Sequence, residues 1–158
     1  MTCQNREAVP GRTGVEFDTD PGRVDLDRLW AFLSEHAYWG RWRSRDDVAA
    51  QLATAWRVVG IYEPDSREMI GFARAVSDGV AFAYLADVYV DPAHRGRGLG
   101  RALIRVMIDE GPGREFRWML HTADAHDLYR HFGFQSPDPM VMERPGAKPA
   151  GQPGANES

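Results

Sequence analysis

Apolar positions along the chain follow two rhythms. Leu26, Leu29, Trp30 and Leu33 recur at the three- and four-residue spacing of one helix face, as do Val48, Leu52, Ala55 and Trp56. Leu99, Ala102, Leu103, Val106 and Met107 mark a third helix in the same way. Between the second and third helices lie three aromatic and β-branched runs, Arg57–Glu63, Met69–Ser77 and Phe82–Val90. Pro64-Asp65-Ser66 and Asp78-Gly79 are turn signals between them, so the spacing predicts an antiparallel meander. Val15–Asp18 predicts a short first strand. Asp20-Pro21 predicts a helix start, because proline is tolerated in a first helical turn. Ser44 with Asp47 reads as a capping box at the second helix. Beyond the break at Gly111-Pro112-Gly113, Phe116–His121 reads as a strand and Ala125–His131 as a short helix closed by Gly133. Met140–Glu143 predicts a last strand. The order βααβββαβαβ is that of an α/β (α+β) domain on a mixed sheet.

Composition narrows this picture. A chain of 158 residues predicts one domain, placed at residues 15–144 between a loose arm at 1–14 and a Pro/Gly/Ala-rich tail at 145–158. The apolar share of 43% and charged share of 27% are those of a soluble globular protein. A net charge of −4 argues against nucleic acid as a partner. The lone cysteine, Cys3, can close no internal disulfide and fits a reducing cytoplasm. Residues 1–13 hold no apolar leader and no run of about 18 apolar residues occurs, so neither export nor a membrane span is expected. His121, His126 and His131 lie five apart, which does not make them neighbours on a helix face, and no metal-ligand spacing is found.

Against this acidic background, arginines crowd residues 95–101. The strand ending at Asp91-Pro92 leads into Arg95-Gly96-Arg97-Gly98-Leu99-Gly100, and the third helix follows at once. A helix N-terminus carries unpaired N–H groups and about half a unit of positive charge. Glycines let an anion approach those groups, and Arg95, Arg97 and Arg101 add forked donors. The stretch therefore reads as a phosphate or pyrophosphate seat. It is not a P-loop, since no Lys-Ser or Lys-Thr follows, and Arg101 breaks the G-x-G-x-x-G spacing. A bare basic turn would not need three glycines at about 1 kcal/mol each of backbone entropy.

The motif R-x-x-G-x-G (Arg95, Gly98, Gly100), the preceding Val88-Tyr89-Val90-Asp91-Pro92 and the downstream Leu128-Tyr129-x-x-x-Gly133-Phe134 together resemble the GCN5-related N-acetyltransferase (GNAT) superfamily. The likeness covers roughly residues 15–144. Gly71-Phe72-Ala73-Arg74, Tyr84-Leu85-Ala86-Asp87-Val88 and Asp124-Ala125-His126 together are similar to one bacterial subgroup of it. The resemblance implies a mostly antiparallel sheet of six to seven strands flanked by about four helices. It implies acetyl-CoA as co-substrate, no metal, and transfer of the acetyl group to a primary amine by direct attack on the thioester. The diphosphate would sit on Arg95, Gly96, Arg97, Gly98, Leu99, Gly100 and Arg101. The pantetheine arm would lie along Val88, Tyr89 and Val90, with the Val88 N–H polarising the thioester carbonyl and a bulge expected nearby. Thr122, where the family often has Asn, would bond the pantetheine. Tyr129 would lie near the sulfur as general acid, a phenol of pKa near 10 facing a thiol near 8.5.

The amine must lose a proton. Asp87 and His126 are the candidate bases, with Glu63 and Asp91 behind them. Asp87 could equally be a buried carboxylate bonded to the backbone or to Arg74, and His126 a surface or capping histidine. The aperiodic, aromatic segment with Tyr38, Trp39, Trp42 and Arg43 is either core edge with solvated arginines or the wall of an acceptor pocket. The leading expectation is a small-molecule amine acceptor, with a protein or peptide amine, or a non-catalytic coenzyme A-binding sensor, as alternatives. Homodimers are common in the superfamily.

Overall fold

The alternating runs assemble into one five-stranded sheet in the computed structural model, which describes residues 14–36 and 43–147. Its strands are β1 (Glu16–Asp18), β2 (Arg57–Tyr62), β3 (Met69–Ser77), β4 (Phe82–Val90) and β5 (Arg117–Met119), in sequential order. Neighbours are antiparallel as far as β4, and β4–β5 is parallel. A parallel pair needs a crossover, and helix α3 (Leu99–Met107) supplies it.

Helix α1 (Leu26–Glu35) starts at Asp25, whose carboxylate accepts the Arg28 N–H. The predicted start at Asp20-Pro21 instead opens a 3₁₀ turn, Pro21–Arg23. Helix α2 (Arg45–Thr54) carries the full Ser44/Asp47 capping box. Helix α4 (His126–Arg130) is a single short turn. No helix among the described residues is long and apolar enough to cross a membrane.

Two cores cover the sheet. On one face Val59, Ile61, Ile70, Ala73, Ala75 and Leu85 pack against Leu99, Leu103, Ile104 and Met107 of α3. On the other, Val58, Tyr62, Met69, Phe72 and Tyr89 pack against Leu29, Phe32 and Leu33 of α1 and Val48 of α2. Burial on both faces is why β2 and β3 read as near-continuous apolar runs.

Two sequence expectations are adjusted at the C-terminal side. The strand expected at Phe116–His121 forms over Arg117–Met119, and Met140–Glu143 forms no strand, which leaves five strands among the described residues where six to seven were expected. The cause is local. The Asp138 carboxylate accepts the Met140 N–H and its carbonyl accepts the Val141 N–H, which holds the chain in a turn around Pro139. Met140 and Met142 are 83% and 94% exposed, so the M-V-M alternation has no core to bury against. The predicted arm (1–14, apart from Gly14) and most of the predicted tail lie outside the described residues.

The decisive irregularity lies within β4. Phe72 pairs with Tyr89 and Arg74 with Ala86, leaving Asp87 and Val88 opposite Ala73 as a β-bulge. Strict alternation would put Leu85, Asp87 and Tyr89 on one face. Instead Leu85 joins the α3-side core and Tyr89 the α1-side core. Asp87 takes up the irregularity with φ 54, a left-handed conformation costing a non-glycine residue about 1–3 kcal/mol.

What holds it there is charge. Arg43 Nη1 and Nη2 donate to the two Asp87 carboxylate oxygens at 2.8 and 2.7 Å, and Arg74 Nε donates at 2.6 Å. Arg43 also donates to Gln51 on α2, so the cluster ties α2 to β3 and β4. Burial pushes the Asp87 carboxyl upward, but the two guanidinium groups outweigh it and hold the group below the ordinary carboxylate range.

A folded-state value below the unfolded one means the stabilisation is complete above the unfolded carboxylate's pKa of about 4 and is lost as pH falls through the folded value. We expect Asp87→Asn to cost about 3 kcal/mol in urea unfolding at neutral pH, and the gap from wild type to narrow below about pH 4. A gap independent of pH would contradict this electrostatic origin.

Candidate active site

β4 and β5 pair only through Phe82↔Arg117, Ala83↔Trp118 and Tyr84↔Met119. Beyond Tyr84 the edge of β4 turned away from β3 has no strand beside it among the described residues, while β5 leaves toward α4. A slot therefore opens at Tyr84, with the backbone of Val88, Tyr89 and Val90 along one side. The Tyr89 ring is buried and stacked on Phe32 at 4.5 Å, so it offers the slot only its backbone.

The slot leads to the α3 N-terminus. Gly96 (φ +81) and Gly98 (φ +73) occupy conformations that favour glycine. Gly98 caps α3 without any side-chain hydrogen bond, and the first helical bond runs from the Ala102 N–H to the Gly98 carbonyl. The N–H groups of residues 99–101 thus have no partner inside the helix. Leu99 anchors the turn with a buried side chain, leaving only its N–H for a ligand. Arg95, Arg97 and Arg101 are exposed around it. Arg97 donates to Glu63 at 2.7 Å and lies 2.9 Å from His94 Nδ1.

Gly100 is the informative position. Its backbone is not left-handed, and a Cβ there would meet no protein atom within 4 Å. The fold does not require glycine at this position, but an anion seated on the adjacent N–H groups does.

After β5, the Thr122 hydroxyl accepts the Ala125 N–H at 3.1 Å and so caps the approach to α4. The Phe134 N–H closes the helix on the Tyr129 carbonyl, with Gly133 at φ +86. Tyr129 is buried edge-on against Phe134, their centroids 5.7 Å apart. It lines a cavity of about 640 Å³ together with His121, Thr122, His126 and Glu143. His126 is therefore on the same cavity wall as Tyr129.

Four expected roles change. Asp87 is no base, because both its oxygens are bonded to arginines that depress its proton affinity. Arg43 is no acceptor wall, since it is 4% exposed and committed to Asp87 and Gln51. Glu63 holds Arg97, and Asp91 caps the turn at Ala93 and pairs with Arg28. Tyr38, Trp39 and Trp42 lie outside the described residues.

One group escaped the sequence reading. Tyr84 Oη lies 2.6 Å from His121 Nδ1, and His121 Nε2 lies 2.6 Å from Glu143 Oε2. Only the β4–β5 register and the returning C-terminal segment bring these three residues together, and no local motif announces them.

Comparison with known proteins shows the family. The family model described as the acetyltransferase (GNAT) family matches residues 22–134. A Gibberella zeae protein with an acetyltransferase name is 31% identical over 139 residues, 80% of this chain and 76% of that protein. Histone acetyltransferase TAP1 of Glycine max is 33% identical over 126 residues, 73% of this chain but only 54% of its own length. The crystal structure of a GNAT-family protein from Xanthomonas campestris superposes with a TM-score of 0.78 at 31% identity, covering 91% of this chain and 97% of that one. A Clostridium acetobutylicum protein solved with acetyl-CoA shares the fold at a TM-score of 0.56 and 15% identity, covering 82% of this chain and 96% of that one.

Replacing Gly100 separates fold from ligand. Gly100→Ala should hold or raise the thermal midpoint, alanine being favoured in a helix by about 1 kcal/mol, yet weaken coenzyme A binding in calorimetry by about tenfold or more. Unchanged affinity would contradict a diphosphate seat here.

Proposed function

Given that the chain belongs to the GNAT acetyltransferase family, we propose that it is an acetyl-CoA-dependent N-acetyltransferase acting on a primary amine of a small molecule. The observation that carries this reading is the convergence of three features: a helix N-terminus with no side-chain cap, an open β4 edge, and Tyr129 buried in the same core as Leu99, against which Val88 and Val90 pack.

Each part has a chemical task. Backbone N–H groups at residues 96–101, with Arg95, Arg97 and Arg101, hold the diphosphate. The edge of β4 at Val88–Val90 takes the amide-rich pantetheine as an added strand. Such pairing fixes the thioester beside the bulge, where the Val88 N–H stabilises the negative charge that develops on the carbonyl oxygen as the amine attacks. The thiolate then leaves and takes the Tyr129 proton, and the phenolate is reprotonated by the N–H proton that the attacking nitrogen loses as it becomes the amide. The apolar setting of the Tyr129 ring suits this role, since water there would compete for the proton. Thr122, its oxygen already accepting from Ala125, retains one O–H to offer the pantetheine.

The small-molecule acceptor is supported by the aromatic stretch Tyr38, Trp39 and Trp42 joining α1 to α2, a composition suited to enclosing a compact amine. A protein lysine is the second reading, favoured by the name of the Glycine max relative.

Thiol release from acetyl-CoA, measured against a panel of small primary amines and a lysine peptide, tests both. Turnover with a small amine is the expected result, and preference for the peptide would replace the acceptor. Tyr129→Phe should lower kcat by about 10²–10³-fold while acetyl-CoA affinity stays within about twofold. An unchanged kcat would remove Tyr129 from the chemistry.

A further inference from the structure

With Asp87 locked between arginines, the attacking amine needs another route for its proton. The Tyr84–His121–Glu143 chain stands at the apex of the slot, where β4 and β5 part. Tyr84 is the last β4 residue paired with β5, and His121 lies two residues beyond its partner Met119. Alternation from Ala86, which pairs with Arg74, puts the Tyr84 side chain on the α1/α2 face with Arg74.

The partners fix the direction of the hydrogen bonds. The ionised Glu143 carboxylate can only accept, so His121 Nε2 carries the proton. In a neutral imidazole Nδ1 is then the acceptor, and the Tyr84 O–H donates to it. A phenol held this way keeps its oxygen lone pairs available to a new donor. Carboxylate, imidazole and hydroxyl stand in the order of a hydrolase triad, with phenol in place of serine.

We propose that Tyr84 and His121 form the proton relay that deprotonates the acceptor amine, with Glu143 as the positioning residue behind the imidazole. An N–H bond of the ammonium form breaks and its proton passes to Tyr84 Oη, while the Tyr84 proton passes to His121 Nδ1. The nitrogen lone pair is left to form the bond to the acyl carbon. Tyr84 is unchanged, and His121 becomes an imidazolium paired with Glu143. His121 is exposed and returns the proton to solvent.

Burial raises the Tyr84 pKa, Glu143 and Asp87 raise it further and Arg74 opposes them, so the phenol stays protonated at neutral pH as a relay requires. His126 shares the cavity wall but has no carboxylate paired with it among the described residues.

This proposal rests on the acetyltransferase reading, and the test separates the two. Thiol release is followed from pH 5.5 to 9 with acetyl-CoA and the best small amine of the panel, then with hydroxylamine, whose nitrogen is already unprotonated at neutral pH. For the panel amine, Tyr84→Phe and His121→Gln should each lower kcat/KM by about 10²-fold and flatten the acid limb of its pH profile. The loss should be much smaller with hydroxylamine. Acetyl-CoA affinity by calorimetry and the thermal midpoint should stay at wild-type values, since a mere strap for the C-terminal segment would change the midpoint instead. Glu143→Gln should displace the acid limb without changing acetyl-CoA affinity. Wild-type turnover with both variants retaining its rate and pH profile would overturn the relay alone. Wild-type binding of acetyl-CoA without transfer to any amine would overturn the acetyltransferase reading, and the relay with it.

Discussion

A carboxylate set inside a sheet between two arginines determines the geometry of the candidate site. Asp87 holds a left-handed backbone in mid-strand because Arg43 and Arg74 grip both its oxygens. Burying three charges costs several kcal/mol in desolvation, and such clusters are weak stabilisers compared with an apolar core. What this one provides is position. It holds the bulge that moves the following residues of β4 by one register step, placing Tyr89 in the α1-side core. The same cluster reaches α2 through Gln51, so the roof over one face and the strand beneath it are fixed together.

The proposed donor and acceptor sides differ in how they are built. The proposed anion seat is backbone, a glycine turn and the first N–H groups of α3, with arginines around it. The side chains proposed for the chemistry come from separate elements: Tyr129 on α4, Tyr84 on β4, His121 just past β5 and Glu143 on the closing segment. A backbone seat changes little with side-chain substitution, whereas separate side chains can be replaced singly.

Legibility from sequence followed the range of the interactions. β3 and β4 were bounded correctly because turn residues flank clear β-branched runs, and the Ser44/Asp47 cap because its chemistry spans three residues. The glycine turn before α3 was readable for the same reason. The contact of Asp87 with Arg74 was among the readings the sequence left open, but the Arg43 partnership spans 44 positions and a lone Arg carries no sign of its partner. His121 and Glu143, 22 positions apart, meet only after β5 and the C-terminal turn are in place. Met140–Glu143 misled in the opposite direction. It has strand-like alternation, but an Asp-Pro turn before it and no apolar face to cover leave it without a ladder.

The central claim is that the bulged β4 edge and the α3 N-terminus together grip one ligand. Amide hydrogen exchange, with and without coenzyme A, reads this at single-residue level. The account predicts new protection concentrated at Val88–Val90 and at residues 96–101, with the cores on both faces unchanged. Protection confined to other segments, or none at saturating coenzyme A, would contradict it.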